Sequence, residues 1–502
     1  MTMLIARTFA LKAKALLPVC RKLQFGLTTK STPRYTTLRF YTSTGNENTT
    51  PAAAADATAT VNADQRDNQV VEQTATWLDA LTERAKQLKD GKKLDLYSYI
   101  NPKTTKVLER TRSDSFSFLL LPFKDDKWLC DAYINAFGRL RVGQLFQDLD
   151  ALAGRIAYKH CAPAEPVNVT ASVDRILMLK KVDEIQNYNF VLAGAVSWTG
   201  RSSMEITVKG YAFEDLIPAE FTEAELPAEN VFLTANFTFV ARNPLTHKSF
   251  AINRLLPVSE LEWLDYRRAE LFNAKKKLAA KNSAVIEPTD EETRLVHDMW
   301  KALKQIEKLD GKLKFMKDSK FTLTLFMQPQ YRNRHSYMIF GGYLLRQAFE
   351  LAYCAAAAFT SAGPRFVSLD STTFKAPVPV GSVLSMEASV SYTEHLHDAA
   401  STSKACLPFD LPPTNKISKN PNAFLLEPGT LVQVKVDTNI TNLDSSELKE
   451  SGCFIYSFFV PGSSAKQPLA SVIPQTYSEM MDYVEGRRRA HDTANYVDTI
   501  SK

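Results

Sequence analysis

The sequence is short of several things, and each shortage closes a class of explanation. No stretch of about 18 uncharged apolar residues occurs. The nearest run, 351–359, is far too short, so no membrane-spanning helix is expected. The six cysteines (Cys20, Cys130, Cys161, Cys354, Cys406 and Cys453) are scattered and form no C-x-x-C. That pattern signals neither a zinc knuckle nor a redox pair, and it suits a reducing compartment. Only seven histidines are present. Glu394-His395-Leu396-His397-Asp398 groups metal-ligand types, but no further His or Cys set has suitable spacing. It reads as a polar strand end running into a loop, and no cofactor is expected. G-x-S-x-G is missing, which argues against an α/β serine hydrolase. The glycine-rich dinucleotide and P-loop patterns are missing too.

The most telling absence is of acid at the front. Residues 1–45 hold no Asp or Glu, but they hold Arg7, Lys12, Lys14, Arg21, Lys22, Lys30, Arg34 and Arg39. The whole chain of 502 residues carries +6, so the part beyond residue 45 carries −2. A basic nucleic-acid binder is therefore not indicated, because the charge is confined to one end. On a helical wheel Ile5, Phe9 and Leu16 share a face opposite Arg7, Lys14 and Arg21, with Lys12 falling on the apolar side. An Arg-rich, Ser/Thr-rich, acid-free amphipathic start reads as a mitochondrial transit peptide. Arg39-Phe40-Tyr41 before Thr42 predicts cleavage there and delivery to the matrix. The polar Ala/Thr-rich stretch that follows has too few large apolar residues for a core and reads as a disordered arm.

Beyond the arm the chain repeats itself. LPVSELEWLDY (256–266) parallels IPQTYSEMMDY (473–483) at an offset of 217. Each copy places Ser259 or Thr476 three residues before Glu262 or Glu479, the pattern of a helix capping box. GQLFQDLDALAGRIAYKH (143–160) parallels GGYLLRQAFELAYCAAAAF (341–359), with Gly143 and Gly342 offset by 199. The extra residues fall in 399–428, a Pro- and Ser-rich loop insertion. Strand-like runs follow each helix: 169–182, 188–200, 201–213 and 230–242 in the first half, then 365–378, 382–394, 429–441 and 451–460 in the second. Leu145, Leu149, Leu152 and Ile156 in one helix, and Leu345, Leu351 and Ala355–Ala358 in the other, make both apolar on most faces, as buried helices are.

One buried helix wrapped by a curved antiparallel sheet is a hotdog arrangement. The expected fold class is therefore α+β, a tandem (double) hotdog. The expected layout is a transit peptide at 1–41, an arm at 42–75 and a first hotdog domain at 76–258. A helical linker at 259–312 then leads to a second hotdog domain at 313–502, which carries the insertion and a C-terminal helix.

The segments around the helix starts, NAFGRLRVGQLFQDLDALAG (135–154) and NRHSYMIFGGYLLRQAFELA (333–352), together with TGRSSMEI (199–206) and VIPQTYSEMMDYVEGRRR (472–489), resemble the mitochondrial double-hotdog acyl-CoA thioesterases of the acyl-CoA thioesterase 9 type. The resemblance covers roughly 75–490. It implies hydrolysis of fatty acyl-CoA to free fatty acid and coenzyme A, at a site between two hotdog units. One unit supplies an acid from its central helix and the other an Asn near the start of its own. In that register the acid is Asp150, with Asp148 facing elsewhere, and the Asn is Asn333.

The second half has Phe349 where the acid would stand, which implies one acid-bearing site per chain. Glu350, beside it, is the candidate acid of a second site. Asn333 lies one residue further from the glycine pair than the family pattern sets. Gly341 and Gly342 would let backbone amides approach a developing oxyanion. A carboxylate could then activate water or attack directly. Ser202 and His335 are candidate substrate contacts. Arg201, Arg487 and Arg488 are candidates for the coenzyme's phosphates. Hotdog proteins assemble, so a homo-oligomer is expected. The rival expectations are a non-catalytic acyl-CoA-binding or scaffold protein on a degenerate double hotdog, and another hotdog enzyme such as a hydratase.

Overall fold

The computed structural model describes residues 104–500 apart from 216, 218–220, 245, 282–286, 306–312, 334–337, 371, 397–426, 444–446 and 465–469. The basic front segment, the arm, His335 and nearly all of the 399–428 insertion lie outside the described residues.

Eleven strands make a single sheet. In the first half these are β1 (Ser117–Leu121), β2 (Val167–Met178), β3 (Asn189–Thr199), β4 (Ser203–Phe213) and β5 (Val231–Arg242). The second half adds β6 (Phe321–Phe326), β7 (Arg365–Leu369), β8 (Thr372–Thr373), β9 (Val383–Leu396), β10 (Gly429–Thr441) and β11 (Leu448–Pro461). The order is β1-β3-β4-β5-β2-β7-β11-β10-β9-β6, with β8 also on β2. Read from either edge, the halves have the same plan: the strand before the helix is outermost and the strand after it is innermost. The inner strands pair antiparallel, Ser368 with Leu177 and Thr372 with Val173, so the lobes share one ladder.

Each half wraps its sheet around one long helix, α1 (Val142–Cys161) or α4 (Gly341–Thr360). Leu145, Leu149, Leu152 and Ile156 of α1 and Leu345, Ala348, Ala352 and Ala355 of α4 are all at most 1% exposed. The small residues of α4 let it lie close to its sheet. The two helices also pack on each other. This is the tandem hotdog that the duplicated pattern predicts. Phe146 of α1 crosses to the second lobe, its ring 5.2 Å from both Phe349 and Phe366 and edge-on to each. Aromatic pairs in that orientation are favoured beyond the area they bury.

Three outer helices close the surfaces. These are α2 (Glu260–Lys281), α3 (Asp290–Gln305) and α5 (Tyr477–Ile500). α2 lies on β3 and α5 on β9. That is why β3 is buried at every position: it has α1 on one face and α2 on the other. The expected capping box forms at Thr476, where Glu479 also accepts from the cap amide, and at Ser259 its hydroxyl half forms while Glu262 accepts from the Val258 amide. Ser259 Oγ accepts from the Glu262 amide at 3.2 Å, and Thr476 Oγ1 from the Glu479 amide at 3.2 Å. His395 is held between the Thr430 and Ser471 hydroxyls at 2.7 and 2.8 Å.

A candidate active site between the lobes

The start of each central helix is built the same way. A short loop closes on itself and hands the chain to the helix. In the first lobe Ile134 bridges Leu140, the Asn135 amide donates to Arg139 O at 2.8 Å, and α1 follows two residues after Leu140. In the second Arg332 bridges Ile339, the Asn333 amide donates to Met338 O at 2.8 Å, and α4 follows two residues after Ile339. Asn135 and Asn333 therefore hold the same place in matching loops, and the second loop is one residue longer. In sequence the extra residue falls between Asn333 and Met338, and α4 starts as far beyond its bridge as α1 does. Asn135, the first-lobe counterpart, was not singled out from the sequence. Its Oδ1 is used within its own loop, accepting from the Phe137 and Arg139 amides.

Asp150 lies on α1 but reaches across to the second lobe. Its Oδ2 accepts a 2.6 Å hydrogen bond from the Gly342 amide, in the first turn of α4. Its Oδ1 accepts one of 2.8 Å from the Thr170 hydroxyl on β2. A carboxylate at a helix N-terminus is favoured by the orphan amides and the helix dipole. The side chain is 1% exposed. Burial pushes its carboxyl up to about 6, although the Thr170 and Gly342 hydrogen bonds pull the other way. The glycines are needed here. A Cβ on Gly341 would stand 3.1 Å from Asp150 Oδ2, and one on Gly342 would meet the Phe340 ring at 2.7 Å. The Gly342 amide is aimed at the Asp150 carboxylate.

The equivalent place in the second lobe is different. Phe349 sits in an aromatic cluster with Phe146, Phe366, Tyr456 and Phe458. Glu350 does not replace Asp150. It lies in a half-exposed ion pair with Arg141 at 2.8 Å, with Arg346 at 3.7 Å. The helix register does not slip, so Phe349 and not Glu350 stands at the position that matches Asp150. One part of the site does persist. Pro166-Val167-Asn168-Val169-Thr170 runs parallel in sequence to Pro364-Arg365-Phe366-Val367-Ser368. Ser368, the counterpart of Thr170, is fully buried, and its hydroxyl has no partner among the described residues. The hydroxyl has stayed and its carboxylate has gone.

Asp148 has its own surroundings, as expected. It is 1% exposed and accepts a 2.5 Å hydrogen bond from the Tyr133 hydroxyl. Burial pushes it up to about 7 against hydrogen bonds from Tyr133 and Gln144 and the charge of Arg346. Arg201 and Ser202 form the turn between β3 and β4, where their carbonyls accept from the Ile252 and Ala241 amides. Arg487 and Arg488 tie α5 to α3 through Glu291 at 3.4 Å and Glu292 at 2.5 Å. Both arginines are thus engaged by carboxylates of α3. Thr170 was missed in the sequence because nothing local marks it. Only the packing of β2 on α1 brings its hydroxyl to Asp150.

No family model matches the chain. A chloroplastic acyl-coenzyme A thioesterase 2 from Humulus lupulus is 35% identical over 312 residues, 59% of this chain and 68% of the relative. The mitochondrial acyl-coenzyme A thioesterase 4 of the same plant is 30% identical over 395 residues, 76% of this chain and 68% of the relative. The mitochondrial acyl-coenzyme A thioesterase 9 of Mus musculus is 29% identical over 409 residues, 78% and 81% of the two chains. Among solved structures, an acyl-CoA hydrolase from Bacillus cereus is 23% identical, covers 36% of this chain and 99% of its own, and has a TM-score of 0.28. With a carboxylate of one lobe held by the helix start of the other, and relatives of this extent, the chain belongs to the acyl-coenzyme A thioesterase family.

Proposed function

We propose that the protein hydrolyses fatty acyl-CoA thioesters to free fatty acid and coenzyme A, in the mitochondrial matrix, with one catalytic carboxylate per chain. The observation that carries this reading is Asp150. It is buried, held by one donor on each oxygen, and poised near 6, so it is mostly ionised at neutral pH yet basic enough to accept a proton.

Each carboxylate oxygen keeps a free lone pair beyond the bond it accepts. In this reading Asp150 takes a proton from water as the water oxygen bonds to the thioester carbon. The Gly341 amide, at the positive end of α4, steadies the oxygen that becomes negative. Asn333 orients the water or the carbonyl. The carbon–sulfur bond then breaks, and the proton held by Asp150 passes to the leaving thiolate. Atoms balance as thioester plus water giving acid plus thiol. The acid-free basic front segment and the mitochondrial relatives support the compartment. α2 leaves Leu261, Leu264, Leu271 and Leu278 at 59–75% exposure along one side, which supports assembly of like chains.

A thiol-release assay over a series of acyl-CoA lengths tests the reading. Stoichiometric free coenzyme A and fatty acid are expected. Saturable binding without thiol release would leave a binding protein, and water addition to an enoyl-CoA without thiol release would make it a hydratase; either result ends the proposal.

A further inference from the structure

One pocket among the described residues lies away from Asp150, which is not part of its lining. It lies at the second lobe's altered position, with a volume of about 360 Å³. Its floor is apolar and aromatic, including Phe349, Phe366, Tyr353, Met178 and Val182. Five cations also line it: Arg139, Arg141, Lys180, Lys181 and Arg365. An apolar cavity with a few convergent charged groups is the usual form of a small-molecule site.

The cations outnumber their counter-charges. Arg365 makes a two-pronged pair with Asp183 at 2.6 and 3.1 Å, and the same carboxylate faces Arg139 at 3.6 Å and Lys181 at 3.8 Å. Three positive groups thus share one acid, and Lys181 also meets Glu427 at 3.2 Å. Across the pocket Glu350 is shared by Arg141 and Arg346. Arg365 Nε is buried without a partner among the described residues. Burial, and after it the charge of Arg365, lowers Arg139 below its ordinary value despite Asp183 nearby. One more anion at this mouth would relieve that repulsion.

We propose that this pocket is a second, non-hydrolytic site for an apolar chain ending in an anion, and that its occupant is a fatty carboxylate of the kind the first site releases. The volume lies near the lower end of the range of about 300–1,000 Å³ for ligand pockets, which suits one acyl chain better than a whole coenzyme A ester. Hydrolysis is not expected in it. Phe349 stands where the acid would be, and Glu350 is spent on Arg141. The identity of the carboxylate as product rests on the function proposed above; the site itself rests on the pocket.

Equilibrium dialysis of radiolabelled decanoate against the full-length protein tests this, with free coenzyme A and a non-hydrolysable decyl-CoA thioether as competitors. Val182→Trp fills the cavity and Arg365→Gln removes the anion contact. Each is expected to weaken one class of decanoate binding at least about tenfold, with free coenzyme A failing to displace that class. In the wild-type protein a diazirine-bearing decanoate is expected to label the peptide containing Met178–Val182, a readout independent of how either variant folds. Unchanged decanoate binding in both variants would overturn the proposal. So would displacement of that class by coenzyme A alone, or labelling confined to the Asn333–Gly342 region. Thiol release is measured alongside: if it persists while pocket binding fails, only the pocket inference falls.

Discussion

The two lobes share one plan and differ in a few side chains, and those few decide what each can do. In the first lobe α1 presents Asp150 to the Thr170 hydroxyl and to the amide end of α4. In the second, α4 presents Phe349 at the matching turn, Ser368 keeps the hydroxyl, and Gly143 keeps the close helix approach. A Cβ on Gly143 would meet Phe349 and Glu350 at 3.2 Å, much as one on Gly341 would meet Asp150 and Thr170. The scaffold that brings a carboxylate to a helix start thus exists twice. The chemistry depends on the group placed there. The second position exchanges a buried charge, costly to desolvate, for aromatic packing.

The comparison can be broken most forcefully at Phe349. Phe349→Ala removes a ring that contacts five others, and about 3–5 kcal/mol of stability should go with it. Denaturant unfolding checks this, and turnover per folded molecule should stay near wild type. A loss of turnover without loss of stability would mean that the second position is catalytic after all.

Next in size is the asparagine pair. Asn333→Ala should lower kcat by about a hundredfold, the scale of losing one positioned catalytic hydrogen bond. Asn135→Ala should change it little, because the Asn135 amide oxygen is already used inside its own loop. Equal losses in the two variants would show two working sites.

Thr170→Val gives the smallest effect and the sharpest sign. The Thr170 hydrogen bond favours the ionised carboxylate, so removing it should move the acid limb of the kcat profile upward from about pH 6, with about a tenfold loss at neutral pH. Asp148 also titrates high, but no hydrogen bond joins it to Thr170. An unmoved limb would assign the limb to Asp148. The same raised value has a stability consequence. Between the ordinary carboxylate range and about pH 6 the folded protein holds a proton on Asp150 that the unfolded chain has lost. Stability from this group is therefore greatest at low pH and falls as pH rises through that window.

Much of the fold was legible in the chain because the duplication repeats unlike signals in a fixed order: a glycine start, an apolar helix, four strands, and a capped helix. The helices begin and end within a residue or two of the sequence reading. Less was legible in the site. Asp150 could be named only because two glycine-led helices could be aligned with a family pattern. Thr170 and Ser368 could not, since a hydroxyl in a strand looks alike whether or not a carboxylate lies across the helix. The partners of the arginines near the C-terminus were not legible either. A basic run suits phosphate, but here Glu291 and Glu292, nearly 200 residues earlier, are its partners. Partners distant in the chain decide what a charge does.

The most direct test of a single catalytic carboxylate is to neutralise each candidate acid in turn and measure thiol release from one acyl-CoA. Asp150→Asn should lose about 10²–10⁴ in kcat, the usual worth of general acid–base help, with its fold retained. Glu350→Gln should turn over within about twofold of wild type, as expected for a half-exposed ion pair. Wild-type-like turnover by Asp150→Asn, or a comparable collapse in Glu350→Gln, would contradict the account.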